Sequence, residues 1–455
     1  IALRRKGRCR MERPAAGGES CKQDSFLREE TFYLRRKIMK KRVLGLLLTT
    51  AITALALTGC GQTGSIASTG SDTESTGEAG SAEETAADTA ESTEAEAAGE
   101  ENGEAATQDH GTLKVSFMTG NIRIAINILA LEKGYFAEEG VTVEPVNIGG
   151  QDALTAINGS DDQLDILNTG FVPDLQAIGS GYDITVIGGT AVEGGAIIAK
   201  SGNTSAYQDA DKVINIDAVT SAKLGFVRNE SSWVVTRQYL LDNGVSEETI
   251  AAIEEEGSGN ISYYQDETAV AQAVQKGEVD LGFLPLEYAL LYGDAYELEV
   301  VTAAGALQEN YVCCREVTSS AKLAAKKDAF VAYETARIRA FEYYKQGETD
   351  EAVRKDVVDT VANYSGKEAD YVETYLYGGV TKYATDPNEK GIVKYVEAAV
   401  NSGLLSSAGI DFGTYDITQN IDTSAYAQAI NDLVEREPEN EFYAQLKTQF
   451  EADNE

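Results

Sequence analysis

Short apolar strands alternate with helices along residues 111–300, and this alternation limits the fold more than any other feature of the sequence. The first round contains a strand at residues 112–120, a helix over IRIAINILALEKGYF with a stop signal at Lys133 and Gly134, and a second strand at residues 141–148. Strands and helices that alternate at such short spacing predict an open parallel sheet with helices on both faces.

A second round of the same pattern follows the first. We read Leu224–Val227 as a buried strand, residues 229–232 as a loop with an N-cap, and residues 233–242 as a helix closed by Asn243 and Gly244. The body of about 345 residues is longer than one hydrophobic core usually supports. We therefore predict two similar α/β lobes, with a mostly helical segment after Thr318.

The segment that ends at Cys60 has the order of an export signal. Residues 39–42 are Met-Lys-Lys-Arg, and the apolar run at residues 43–57 is about 15 residues long, shorter than the roughly 20 that a membrane span needs. The small residues before Cys60 resemble the lipobox of bacterial lipoproteins, which implies cleavage before Cys60 and a diacylglycerol on its sulfur. An ordinary buried cysteine is the alternative.

Two further segments flank this signal. Residues 1–38 begin with Ile1 and carry basic clusters, so we expect them to be a non-native upstream extension, with the signal peptide at residues 39–59. Residues 61–110 hold 13 acidic side chains and no Lys or Arg, and such a composition predicts disorder. We expect residues 60–110 to form a lipid-anchored acidic tether; a low-complexity tail with no mechanical role is the alternative.

Charge and residue content exclude several functions. The formal net charge of −36 disfavours nucleic acid as a partner. Histidine occurs once, at position 110 in the acidic segment, so the body has no imidazole for a Ser-His-Asp or Cys-His site or for a histidine metal site. We predict that the chain is not an enzyme and takes no metal and no cofactor, while paired carboxylates for glycoside hydrolysis remain an alternative.

Two adjacent cysteines, Cys313 and Cys314, are the only ones in the body. Neighbouring cysteines rarely form an unstrained disulfide. We therefore read both as strand residues, with a reactive vicinal pair as the alternative.

The candidate ligand site follows from a rule for open α/β sheets, in which ligands bind beyond the carboxyl ends of the strands and near helix N-termini. The predicted ligand-binding residues are Asn121, Gly150, Gln151, Thr169, Gly170, Phe171, Gly194, Asn229, Ser231, Ser232, Trp233 and Glu287. Each glycine has an alternative role as a turn residue, the two serines as helix caps, and Trp233 as a core residue.

The sequence contains signals for both a negative and a positive ligand charge. Helix N-termini, Arg123 and Arg228 favour an anion. Glu193, Glu230 and Glu287 oppose it unless they point to water or meet a cationic part of the ligand. We favour a small organic anion such as a sulfonate, with a heterocycle such as a thiamine precursor as the alternative.

Several segments in order resemble one family. LALEKGYFAEEGVTVEPV, GGQDALTAINGSDDQLDILNTG, VEGGAIIAK and QAVQKGEVDLGFLPLEYA are similar to segments of the nitrate/sulfonate/taurine-type (SsuA/THI5-like, NitT/TauT) substrate-binding proteins of ABC importers. The likeness covers most of residues 113–405. The related pyrimidine-forming synthases use an active-site histidine, which this body lacks.

The resemblance implies a periplasmic-binding-protein type II fold, with two α/β lobes, a hinge, an interlobe cleft and a helical C-terminal part. We expect the first part of lobe 1 at residues 111–200, lobe 2 at 201–300, and the return to lobe 1 with the C-terminal helices at 301–455, with crossovers near 199–206 and 298–312. The implied partners are a small-molecule ligand, a permease, a separate ATPase subunit and the membrane through Cys60, for a monomer at the cell surface or in the periplasm. An anchored sensor or interaction lipoprotein without transport is an alternative.

Overall fold

The computed structural model describes residues 108–160, 162–210, 213–228, 230–255, 257, 259–379 and 381–455. The predictions for the upstream extension, the signal peptide, Cys60 and nearly all of the tether lie outside these residues. Within the described part of the chain, no helix is both long and apolar enough to cross a membrane.

The described elements follow the alternation that the sequence predicts. The strands are β1 (Gly111–Ser116), β2 (Val141–Val146), β3 (Leu167–Gly170), β4 (Thr185–Gly189), β5 (Ala191–Val192), β6 (Gly195–Lys200), β7 (Leu224–Val227), β8 (Ile261–Tyr264), β9 (Leu281–Pro285), β10 (Leu298–Ala303), β11 (Cys314–Thr318) and β12 (Lys382–Tyr383). The helices between residues 111 and 300 are α1 (Ala125–Glu132), α2 (Tyr135–Glu138), α3 (Gly150–Asn158), α4 (Phe171–Gly179), α5 (Ile216–Ser221), α6 (Ser231–Asp242), α7 (Glu247–Glu254), α8 (Glu267–Lys276) and α9 (Leu286–Tyr296). The later helices are α10 (Ser320–Ala325), α11 (Lys327–Gln346), α12 (Glu351–Ser365), α13 (Ala369–Tyr377), α14 (Glu389–Asn401), α15 (Ser424–Arg436) and α16 (Glu441–Asn454).

Local sequence signals explain most of the helix ends. Helix α1 ends before Gly134, which adopts a φ of 81°, a conformation that glycine tolerates without a steric penalty. The predicted start of α6 is wrong by two residues, because the helix begins at Ser231. Its N-cap is Glu230, whose carboxylate accepts the amide of Ser232, so neither serine is the cap residue.

The sheets are mixed, which corrects the prediction of an open parallel sheet. Strands β10, β6, β9, β7 and β8 form a five-stranded sheet in that order, and β3, β11 and β4 form a three-stranded sheet. Pairing is parallel for β1 with β2 and for β7 with β8 and β9. It is antiparallel for β6 with β9 and β10, and for β11 with β3 and β4. The antiparallel strands β6, β10 and β11 are those that lie next to a passage of the chain between two sheets.

The chain passes between the two larger sheets twice. The first passage lies between β5 and β6, earlier than the expected region at 199–206, because Gly195–Lys200 pairs with β9 as part of the five-stranded sheet. The second passage lies between Ala303 and Cys314 and includes a 3-10 turn at Ala304–Ala306. One hydrophobic cluster contains buried residues of both sheets, among them Val186 and Val317 of one and Phe283 of the other.

Candidate ligand-binding site

An ion pair joins the segment between β1 and α1 to the start of α9, which follows β9 of the five-stranded sheet. Arg123 lies just before α1, and Glu287 lies in the first turn of α9, directly after β9. The Nε atom of Arg123 is 2.8 Å from Oε1 of Glu287, and the two side chains are 30% and 12% exposed. The carboxylate of Glu287 holds the pKa of Arg123 well above its usual range, so the guanidinium is cationic at any physiological pH.

A small cavity lies beside Arg123. Its volume is about 60 Å³, which suits a group of a few non-hydrogen atoms. The lining comes from the segment between β1 and α1, the end of β3, the residue between β4 and β5, and the start of β11: Met118, Asn121, Arg123, Ile124, Asn168, Thr169, Gly170, Thr190 and Cys314. Asn121 fixes the turn by accepting the amide of Arg123 at 3.0 Å. Helix α4 begins directly after Gly170, and the positive end of its dipole adds to the positive potential at the cavity.

Two thiols stand next to the guanidinium. The Sγ atoms of Cys313 and Cys314 are 3.4 Å apart, and Nη1 of Arg123 is 3.9 Å from Sγ of Cys314. The hydrogen bond from the Cys313 thiol lowers the pKa of Cys314 to about 7, and Arg123 acts in the same direction against the effect of burial. That bond raises the pKa of Cys313, so Cys314 is the more acidic thiol of the pair.

Two buried tyrosines interact electrostatically with the groups around the cavity, although neither lines it. The side chains of Tyr311 and Tyr375 are fully buried, and their hydroxyls have no hydrogen-bond partner among the described residues. Burial raises the pKa of both well above the usual value, so they are neutral donors. Tyr375 interacts electrostatically with Glu287 and Arg123, and Tyr311 with Cys313. A buried hydroxyl without a partner is destabilising, which indicates a place for water or ligand.

Several of the predicted residues meet at this region. Asn121, Thr169 and Gly170 line the cavity, and Glu287 contacts it through Arg123. The Phe171 amide donates to the Cys313 carbonyl at 3.0 Å. Gly194 packs against the same cysteine, because a Cβ atom there would lie 2.9 Å from its Sγ.

Other predicted residues lie elsewhere. Gly150 and Gln151 are exposed at the start of α3 and do not line the cavity. Ser232 is buried with its hydroxyl donating to Glu230 at 2.8 Å, and Ser231 is half-buried one residue earlier. Trp233 lies in a hydrophobic core, where its indole N–H donates to Glu254 at 2.9 Å. Asn229 is outside the described residues.

Glu193, Glu230 and Arg228 do not line the cavity. Glu193 points neither to water nor into the cavity: its side chain is 5% exposed and accepts the amide of Asn310 at 2.6 Å and Nζ of Lys382 at 3.2 Å. Glu230 caps α6, and burial raises its pKa. Arg228 stacks on Tyr263, with its guanidinium carbon 4.2 Å from the ring centroid.

The predicted ligand-binding residues did not include the two cysteines, Tyr311 or Tyr375. The cysteines carried a usable signal, since they stand where the chain returns to the three-stranded sheet. Tyr375 carried none, because α13 is distant in sequence from the strand ends predicted to form the site.

A larger depression of about 500 Å³ is lined by residues of α5, the loop before α7 and α7 itself. Its lining includes Asp209, Asp217, Asn243 and Ser246, all of them exposed. It contains no buried charge or unpartnered buried hydroxyl, so we take the Arg123 cavity as the candidate site. Among the described residues, no group of three or more His, Cys, Asp or Glu side chains is arranged to hold a metal ion.

The fold matches that of solved import proteins. The ligand-binding component of an ABC-type import system from Staphylococcus aureus with zinc bound matches with a TM-score of 0.51 at 14% identity, over 71% of this chain and 99% of that one. The periplasmic nitrate-binding protein NrtA from Synechocystis PCC 6803 matches with a TM-score of 0.52 at 12% identity, over 71% of this chain and 89% of that one. No protein-family model and no curated protein matches the sequence.

These likenesses concern the fold. The chain has the periplasmic-binding-protein fold, a mixed α/β architecture with a helical C-terminal part, as the sequence predicts. The resemblance to substrate-binding proteins of ABC importers is confirmed at that level. Fold alone does not define a ligand, which must be argued from the site.

Proposed function

We propose that the protein is an extracytoplasmic substrate-binding component of an ABC importer, and that it captures a small organic anion, sulfonate-like in its charged group, for delivery to a membrane permease. The observation that carries this proposal is the Arg123–Glu287 ion pair beside a small polar cavity. The two partners belong to elements of different sheets, which we assign to two lobes on either side of a cleft. Proteins of this fold commonly close around ligand by a hinge motion.

The ion pair supports an exchange mechanism. In the ligand-free protein Glu287 supplies the negative charge that Arg123 requires when half-buried. A ligand anion takes the place of this carboxylate, and the positive end of the α4 dipole favours an anion at the same cavity. Planar or tetrahedral oxyanions suit the fork geometry of a guanidinium.

A heterocycle such as a pyrimidine is the second candidate ligand. The observation that favours it is the pair of neutral, buried hydroxyls of Tyr311 and Tyr375. Hydroxyls donate to and accept from uncharged ring nitrogens and carbonyls without a need for charge.

Calorimetric titration with alkanesulfonates, nitrate and pyrimidines tests the ligand class. We expect a sulfonate to bind the wild-type protein and Arg123→Ala to weaken that binding by about 10- to 100-fold, because one charge-assisted hydrogen bond contributes about 1.5–3 kcal/mol. Arg228→Ala is the matched control, since Arg228 stacks on Tyr263 away from the cavity, and should change the affinity less than about twofold. Equal effects of the two substitutions, or the absence of any binder in the panel, would contradict the anion proposal.

We also propose that Cys60 carries the lipid that anchors the protein. The supporting observation is the basic, apolar and small-residue order of residues 39–60. Cells that express the wild-type chain should incorporate radiolabelled palmitate into the protein, and Cys60→Ala should abolish the incorporation. Labelling that persists in Cys60→Ala would contradict the anchor without affecting the ligand proposal.

A further inference from the structure

The adjacent thiols form a feature that solute binding does not require. Cys313 is half-buried and Cys314 is 3% exposed, and both are free. Their Sγ atoms are in contact at 3.4 Å, and Cys314 lines the cavity next to Arg123.

We propose that Cys313 and Cys314 form a reversible thiol–disulfide site in the wall of the candidate ligand cavity, with Cys314 as the thiol that meets hydrogen peroxide and Cys313 as the thiol that resolves the product. Peroxide has only two heavy atoms, and the cavity of about 60 Å³ beside Cys314 is large enough to hold it. The proposal goes beyond ligand capture and does not depend on which solute binds.

The chemistry balances in two steps. The Cys314 thiolate attacks one peroxide oxygen, the O–O bond breaks, and the departing hydroxide takes a proton to become water, which leaves a sulfenic acid on Cys314. The sulfur of Cys313 then attacks the sulfur of Cys314, the S–O bond breaks, and the oxygen leaves as water with the Cys313 proton. The two thiols are oxidised by two electrons in total, and one peroxide is reduced to two waters.

The surroundings favour this assignment of roles. The guanidinium of Arg123, with Nη1 at 3.9 Å, stabilises a thiolate at Cys314, whose pKa is already low. Cys313 precedes the first residue of β11, and its carbonyl accepts the Phe171 amide at 3.0 Å. A disulfide between neighbours is strained, and strained disulfides are more readily reduced, which makes the site reversible.

Oxidation changes the charge in the cavity. In the reduced form, Arg123 faces both the Glu287 carboxylate and the Cys314 thiolate. The disulfide is neutral, so the oxidised form leaves more of the positive potential of Arg123 available to a bound anion.

Peptide mapping of the folded full-length chain tests the site. After treatment with one equivalent of hydrogen peroxide, trypsin releases both cysteines in one peptide, residues 277–315. For the wild-type chain, we expect this peptide to lose two hydrogens and to regain them with dithiothreitol. In Cys313→Ser, dimedone should trap the sulfenic acid on Cys314. In Cys314→Ser, modification of Cys313 should be slower by roughly tenfold or more, because the thiolate is the reactive species.

Circular dichroism checks that both serine variants keep the wild-type fold. The proposal is overturned if the wild-type peptide stays reduced in the folded protein while it oxidises after unfolding. It is also overturned if Cys313→Ser and Cys314→Ser react with peroxide at the same rate. Neither outcome bears on the calorimetric test of anion binding, so the two proposals fail independently.

Discussion

Trp233 is a residue for which the sequence left two roles open. Its ring centroid lies 5.8 Å from that of Phe226 and 5.6 Å from that of Phe283, and its side chain is 6% exposed. The N–H bond to Glu254 joins α6 to α7. These contacts assign Trp233 to the core of the five-stranded sheet and not to the wall of the cavity.

Trp233→Phe should therefore affect stability and leave ligand affinity unchanged. The substitution keeps an aromatic ring but removes the donor to Glu254 and part of the buried area, so we expect a loss of about 1–3 kcal/mol in the free energy of unfolding. Chemical denaturation followed by circular dichroism measures this loss, and calorimetry measures the affinity. A weakening of ligand binding beyond about threefold, with the fold intact, would return Trp233 to the site.

At the scale of elements, α11 carries a buried charge network that holds it against β11 and α1. Nη1 of Arg337 donates to Glu334 at 2.6 Å and forms an ion pair with Glu316, while its Nε donates to Asn127 at 3.0 Å. All these side chains are fully buried. Two carboxylates share one guanidinium, and burial raises the pKa of Glu334 to about 8.

The raised pKa predicts a pH dependence of stability. Between the unfolded value of about 4.5 and the folded value of about 8, the folded protein holds a proton on Glu334 that the unfolded chain lacks. Stability should therefore fall as the pH rises through this window. Glu334→Gln mimics the protonated form and should reduce that slope, as measured by denaturation midpoints from pH 5 to pH 9.

Glu435→Gln provides the control for this comparison, because Glu435 is exposed on α15. It should leave the slope as in the wild-type protein. A slope that is identical in Glu334→Gln and the wild-type protein would mean that Glu334 stays ionised in the fold.

At the scale of the whole molecule, the Arg123–Glu287 ion pair should favour the closed arrangement of the two proposed lobes when no ligand is bound. Glu287→Gln removes the charge of one partner while it keeps the shape. We expect the ligand-free variant to populate more open forms and to show a larger radius of gyration in small-angle X-ray scattering than the wild-type protein.

Asp294→Asn is the matched control, since Asp294 is exposed on the same helix as Glu287. It should scatter like the wild-type protein. If Glu287→Gln also scatters like the wild-type protein, hydrophobic contact between the sheets, and not the ion pair, holds them together.

The predicted strands and helices of residues 111–300 agree with the structure because their signals are local. Apolar runs of four to six residues and stops such as Gly134 act within a few positions of the chain. Strand direction was predicted less well, because it depends on the path between the sheets. Strand β6 was expected in lobe 1, yet it pairs with β9, about 85 residues later in the chain.

Part of the candidate site was also predictable from local sequence signals. Asn121, Thr169 and Gly170 follow strand ends, and the rule for α/β sheets brings such loops together. The partner of Arg123 was not predictable, since Glu287 is 164 positions away and only packing brings the two within 2.8 Å.

The order of strands and helices, the general α/β class and the lack of an imidazole in the body follow from residue type and local spacing alone. Tertiary packing sets which charges meet, which hydroxyls of the described residues lack partners, and that Cys314 lines a cavity beside a second thiol. Those contacts arise between segments distant in the chain, where burial makes an ion pair or an unpartnered donor matter far more than it does in water.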